Sequence, residues 1–214
     1  MRPFFNSLRQ DAAKWWSAFG RTLVTDRRAR ASRSFPVPEN WHEDFIVLLA
    51  SLLRPRCYVE LGLYQCVVFN RIIPFAELLV GIDIDARAVT FMDQSTSKTR
   101  FFHGPTTQFA QTLRENPIHI ELLFIDADHS REAVLADFHN LFPFVVDHGL
   151  IVIHDSYPKD RTFSAPELCG TGYQAIAELS RRADIYEMVT IPVHPGLSIC
   201  RKRIRHLRWQ SGAP

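Results

Sequence analysis

Apolar and polar positions fall in blocks along this chain, and from residue 41 onward the blocks become regular. "WHEDFIVLLASLL" spaces Phe45, Leu48, Leu49 and Leu52 as one face of a helix. Five short apolar runs follow, separated by helix-length segments: "CYVEL" (57–61), "LLVGID" (78–83), "RFFH" (100–103), "IELLFID" (120–126) and "LIVIHD" (150–155). Runs such as "LLFI" and "LIVI" are apolar on both faces, as strands covered by helices on two sides require. Between the last two runs, "SREAVLADFHNLFPFVV" sets Val134, Leu135, Phe138, Leu141 and Phe142 on one face of an amphipathic crossover helix. Strands alternating with such helices predict the α/β class: a Rossmann-like, doubly wound, mostly parallel sheet of about seven strands with helices on both faces. The final runs, "IYEMVTI" (185–191) and "GLSICRK" (196–202), are joined only by "PVHP". That link is too short for a crossover helix, so the pair is expected as a C-terminal antiparallel hairpin.

The first forty residues read differently. Phe4, Phe5, Leu8, Ala12, Trp15, Trp16 and Phe19 share one helical face, and "DRRARASRSFPVPEN" is basic and then proline-punctuated. Residues 1–40 are therefore expected to be a helical extension and basic linker, and 41–214 the main domain. The apolar face is expected to pack on the domain or on a second subunit, which makes a homodimer one expected assembly; a membrane-surface anchor is the alternative. Neither the arginines of the linker nor "RKRIRHLR" (201–208) are interleaved with aromatic residues for base stacking. Both read as solvated surface, and no nucleic-acid partner is expected.

Bulk properties narrow the class further. A chain of 214 residues suits one domain rather than two, and 46% hydrophobic with 22% charged residues is ordinary globular composition. Twenty-five basic residues against 23 acidic leave a formal charge of +2, which calls for no polyanionic partner. Cys57, Cys66, Cys169 and Cys200 show no paired spacing, so neither a disulfide framework nor a zinc site is expected. The start lacks a secretory apolar core, and no stretch approaches the ~20 apolar residues of a transmembrane helix. A reduced, cytoplasmic protein is expected.

Ligands of a doubly wound sheet bind outside the carboxyl ends of its strands. Those ends carry Glu60 and Gly62, then Asp83 and Asp85, then His103 and Gly104, then Asp126 to His129 in "DADH", and lastly His154 and Asp155. A purely structural sheet has no reason to gather charge at one rim. Asp83 lies about 20 residues after Gly62, the placement that lets a carboxylate meet a ribose. "GLYQCV" lacks the G-x-G-x-x-G spacing, and Leu63, Tyr64 and Gln65 would crowd a diphosphate. An adenosine ligand without phosphate fits better. S-adenosylmethionine is such a ligand, its sulfonium cation suits neighbouring carboxylates, and Cys66 is small enough to follow the turn. Competing structural readings stay open: Asp128 or Ser130 capping the next helix, and His154 as a satisfied buried histidine.

"VELGLYQC", "VGIDID", "FHGPT", "FIDADHSREAVLADFHNLFPFVVDHGLIVIHD" and "GLSICRK" together resemble the class I S-adenosylmethionine-dependent methyltransferases over residues 41–202. The resemblance is to a branch of small O-methyltransferases that act on sugars and antibiotic precursors. It implies that Glu60 and Gly62, with Leu63 and Tyr64, border the methionine end of the cofactor. It also implies that Asp83, with Ile84, meets the ribose, and that Gly104 and Asp126 line the adenine side and the transfer centre. The acceptor implied is a small-molecule hydroxyl: a sugar, a phenol or a natural product. Related metal-dependent enzymes place Mg²⁺ or another divalent metal on acids matching Asp126 and Asp155, and His154 stands where some relatives have a third acid. Asp128 matches the family's base position, while His129 has the better intrinsic pKa. Cys66 stands in place of a usual second glycine, and Pro105 where an acid or amide often meets the adenine. These two departures leave a noncatalytic cofactor- or partner-binding module as the alternative, with a nicotinamide-dependent oxidoreductase third. The long loop "SYPKDRTFSAPELCGTG" (156–172), with Tyr157 and Lys159, is expected to act as a lid.

Overall fold

A computed structural model describes residues 37–203. The expected N-terminal amphipathic helix and most of the basic linker lie outside the described residues, as does the end of the basic C-terminal stretch. Helix α1 spans Trp41–Leu53 and leads into strand β1, Cys57–Leu61. Helix α2 (Val67–Ile72), strand β2 (Leu78–Asp83) and a 3-10 segment, Ala86–Phe91, come next. Strand β3 (Thr99–His103), helix α3 (Thr106–Glu115), strand β4 (Ile120–Ile125) and helix α4 (Arg131–Leu141) continue the alternation. Strand β5 (Val145–Ile153), helix α5 (Gly172–Leu179) and the hairpin β6 (Tyr186–Ile191) and β7 (Leu197–Lys202) complete it.

The strand order is β3-β2-β1-β4-β5-β7-β6. The pairs β1–β2, β2–β3, β1–β4 and β4–β5 are parallel, while β7 runs antiparallel to both β5 and β6. This is the doubly wound sheet with an antiparallel C-terminal hairpin that the pattern predicts. All five residues of β1 are buried, as a central strand covered on both faces must be. The chain leaves β1 toward β2 and β3, then returns to its other side with β4, so the topological switch falls between β1 and β4.

Two expectations need correction. Pro143 cannot donate to a helical ladder, so α4 stops at Leu141, Phe142–Phe144 form a 3-10 turn, and β5 starts at Val145 rather than 150. Phe142 still packs against the core from that turn. In α1 the buried residues are Ile46 and Ala50, while Leu48 and Leu52 are exposed. The segment is apolar around most of its circumference, so spacing alone did not select the inward face.

The ladder runs one residue past the strand ends and thereby fixes the rim. Gly62 N donates to Ile82 O at 2.9 Å, Gly104 N to Asp83 O at 2.9 Å, Asp126 N to Leu61 O at 2.9 Å, and His154 N to Ile125 O at 3.0 Å.

Candidate active site at the carboxyl rim of the sheet

The turn after β1 is held from three sides. Gly62 has φ +83°, and a Cβ there would lie 2.1 Å from the Asp126 carbonyl oxygen, so the β1 and β4 turns touch backbone to backbone. Tyr64 and Cys66 also adopt left-handed backbone, at φ 47° and 56°. That conformation costs an L-residue ~1–2 kcal/mol and a glycine almost nothing, which is the physical reason a glycine suits position 66. Cys66 offsets the cost by burial, and its thiol donates to Ala88 O at 3.4 Å. Asp83 closes the turn: its Oδ2 accepts from Leu63 N at 2.8 Å and Tyr64 N at 3.1 Å, and its Oδ1 accepts from Asp85 N at 2.8 Å. The expected ribose acid thus already has three backbone donors.

A cavity of ≈ 1160 Å³ opens over these turns, at the upper end of the ~300–1,000 Å³ usual for small-molecule sites. Of the residues singled out in the sequence, Gly62, Tyr64, Asp83, Ile84, Gly104, Asp126, Asp128, His129 and His154 line it. Glu60, Leu63 and Asp155 do not. Glu60 is buried, accepts the Tyr58 hydroxyl at 2.5 Å, and burial raises its pKa far above the ordinary carboxyl range. The Leu63 side chain is buried over Gly81, where an added Cβ would meet it at 2.6 Å, so this residue contributes its backbone N–H to the turn instead.

Four side chains converge beside Gly62. His154 Nδ1 donates to Asp126 Oδ1 at 2.7 Å and lies 3.5 Å from Asp155 Oδ2. His129 Nδ1 meets Asp155 Oδ2 at 2.9 Å and the Leu168 carbonyl at 2.6 Å, and its Nε2 lies 3.6 Å from Asp126 Oδ1. A carbonyl only accepts, so His129 carries a proton on Nδ1. Asp126 first and Asp155 second push the His129 pKa up to about 11, making it a cation at neutral pH. Burial alone would raise Asp126, but the two imidazoles hold it below the usual carboxylate range. His154 is driven down by burial and up more strongly by Asp126, for a net rise. Its ring lies 4.4 Å from that of His42 of α1 at a 30° tilt, and the His42 pKa falls to about 4 through burial and then His154. Asp128 Oδ1 accepts from Ser130 N at 2.7 Å, which lowers its pKa, while Ser130 caps α4 through Ala133 N at 3.3 Å.

Ligand atoms of Asp126, His154 and Asp155 lie within 4.8 Å of one another. Two carboxylate oxygens and an imidazole suit a divalent cation of borderline hardness, and the buried His154 Nε2 has no hydrogen-bond partner among the described residues. The donor set fits a metal, with the His129 cation as its competitor for the same two acids. The loop 156–172 contributes no lining residue; it anchors His129 instead, through Leu168 O and through Thr171 N donating to His129 O at 3.0 Å.

The sequence reading missed Arg87, Phe91, Thr106 and Asp137, all of which line the cavity. Asp137 left a signal: it shares the inward stripe of α4 with Val134, Phe138 and Leu141, where an acid is out of place.

The fold and this rim define a methyltransferase, and a family model described as "Methyltransferase domain" matches residues 46–156. The chain belongs to that family. No curated protein matches it significantly. Among solved structures, the SAH-bound methyltransferase PaMTH1 of Podospora anserina aligns with a TM-score of 0.63 at 15% identity, covering 95% of this chain and 99% of that one. The O-methyltransferase of Bacillus cereus in complex with SAH gives 0.62 at 13%, covering 85% and 90%. TomG of Streptomyces achromogenes, an O-methyltransferase of tomaymycin synthesis in complex with SAM, gives 0.62 at 16%, covering 83% and 88%.

Proposed function

We propose that the chain transfers a methyl group from S-adenosylmethionine to a hydroxyl of a small molecule. The observation that carries this reading is the meeting, in one cavity, of the Gly62 turn, the exposed Ile84 and the Asp126–His129–His154 cluster. The three solved relatives described above hold SAM or SAH and two of them are O-methyltransferases, which supports the same chemistry. Bound there, S-adenosylmethionine supplies an electrophilic methyl group on a sulfonium.

The chain's own residues have three tasks. Tyr64 and Ile84, 79% and 75% exposed, are apolar surface that a ligand would cover, and the Asp83-braced turn positions it. Asp128 is the ionised carboxylate at the rim that takes the acceptor's proton. Without a metal, His129 is held protonated by Asp126 and Asp155 and sets a positive charge beside the alkoxide as it forms. Asp126, His154 and Asp155 are the residues that would hold a divalent metal, which would acidify and orient the hydroxyl. All four cysteines are buried and unpaired, which supports a reducing compartment. Among the described residues no helix is long and apolar enough to cross a membrane.

Calorimetry with S-adenosylhomocysteine, followed by a methyl-transfer screen over sugars and phenols with and without chelator, tests the reading. Micromolar binding and turnover on a hydroxyl are expected. His129→Gln should lower kcat by ~10²-fold while leaving cofactor affinity within about threefold. No binding at saturating S-adenosylhomocysteine sinks the proposal.

A further inference from the structure

We infer that the segment Leu168–Thr171 and a divalent cation compete for the rim acids through His129, so that filling the acids with metal loosens this segment. The inference rests on the metal reading of Asp126, His154 and Asp155 and is independent of the cofactor.

His129 is held by both sides. Its Nδ1 meets Asp155 Oδ2 at 2.9 Å and the Leu168 carbonyl at 2.6 Å, and its Nε2 lies 3.6 Å from Asp126 Oδ1. His154 Nδ1 approaches the same two carboxylate oxygens, at 2.7 Å from Asp126 Oδ1 and 3.5 Å from Asp155 Oδ2. A divalent cation sits about 2.0–2.2 Å from the carboxylate oxygens that bind it. The His129 N–H aimed at Asp155 Oδ2 would turn its positive end on such an ion. A ring nitrogen that carries a proton also has no lone pair to offer a metal. His129 therefore has to swing away before the acids can close on a cation. The rim takes one partner at a time, the His129 N–H or the metal.

The cost of that swing falls on the loop. Three ties fasten Leu168–Thr171 to this corner. Leu168 O accepts from the His129 ring at 2.6 Å, Thr171 N donates to His129 O at 3.0 Å, and Thr171 Oγ1 accepts from Arg131 N at 2.9 Å. The shortest of the three is the one a cation breaks. Gly170 permits the close approach: at φ +56°, an added Cβ would lie 2.5 Å from His129 O, and its nearest neighbours would all be His129 atoms. The segment is also braced within its own loop. Leu168 N and Gly170 N donate to Ala165 O, and Cys169 N to Phe163 O, so it shifts as one piece. Such coupling is reciprocal: whatever loosens the segment must strengthen cation binding.

Mn²⁺ is the probe, its binding to the full chain followed by electron paramagnetic resonance, with amide hydrogen exchange over 165–171 read in parallel. His129→Ala should bind Mn²⁺ about 10- to 100-fold more tightly than wild type. Gly170→Ala, which pushes the segment off His129, should tighten binding by about 5- to 10-fold. Exchange over 165–171 should quicken when Mn²⁺ saturates the wild type. In His129→Ala it should be fast from the outset and indifferent to Mn²⁺. If Gly170→Ala fails to fold by circular dichroism, His129→Ala carries the test. Equal Mn²⁺ affinity in wild type and His129→Ala, or unchanged exchange in the saturated wild type, overturns the competition alone. Mn²⁺ binding undiminished by Asp155→Asn, or absent from every protein tested, overturns the metal reading with it and leaves the S-adenosylmethionine reading in place.

Discussion

Replacing Asp83 with alanine separates two tasks that a rim carboxylate can perform. If Asp83 only met a ribose, Asp83→Ala would weaken cofactor binding and leave the ligand-free protein as stable as before. The structure assigns it a prior task, because Leu63 N, Tyr64 N and Asp85 N all donate to it at 2.8–3.1 Å. A hydrogen bond to a charged acceptor contributes ~1.5–3 kcal/mol. The Tyr64 N–H is exposed to water and counts for little, and the other two are part-buried. Discounting these for solvent leaves roughly 2–4 kcal/mol in total. For a domain of this size each kcal/mol moves Tm by about 2–4 °C, so a drop of ~4–16 °C is expected. Thermal unfolding by circular dichroism, with urea titration to check an unchanged slope, measures it on the ligand-free chain. Calorimetry with S-adenosylhomocysteine should show affinity falling in parallel. A Tm within about 2 °C of wild type would mean that the carboxylate does not brace the turn.

Gly62→Ala places a Cβ 2.1 Å from the Asp126 carbonyl on a backbone at φ +83°; a loss of at least ~3 kcal/mol in urea unfolding is expected, and a loss below about 1 kcal/mol would contradict the backbone contact. Asp137 has its pKa raised from 3.8 to about 6 in the folded chain, so its burial costs nothing below pH 3.8 and the full amount above about 6. Asp137→Asn should therefore be more stable than wild type at pH 7 by at most ~3 kcal/mol, with the gap closing as pH falls through about 6. Urea titrations at several pH values check this, and a gap independent of pH would refute it.

The sheet was legible because its strands are apolar on both faces and its crossover helix is amphipathic, two patterns that leave little choice of class. The strand starting at Val145 was not, because "VVDHG" mixes polar residues into a run whose β-pairing comes only from β4 across a register shift. The rim acids were visible as charges at strand ends, but their partners were not. Nothing in "ELGLY" reveals that Glu60 turns back to Tyr58, since both face the same side of β1 and only its burial decides the pairing. Asp137 was visible as a misplaced acid on α4, but its partner Thr106 is 31 residues away, and no local pattern links the two.

The contact between Gly62 and the Asp126 carbonyl has a mechanical consequence. It pins together the two loops that diverge at the sheet's centre, the Gly62 turn after β1 and the loop after β4 that bears Asp126. Neither can relax outward on its own. A push on the first would reach the second through backbone atoms rather than through adaptable side chains.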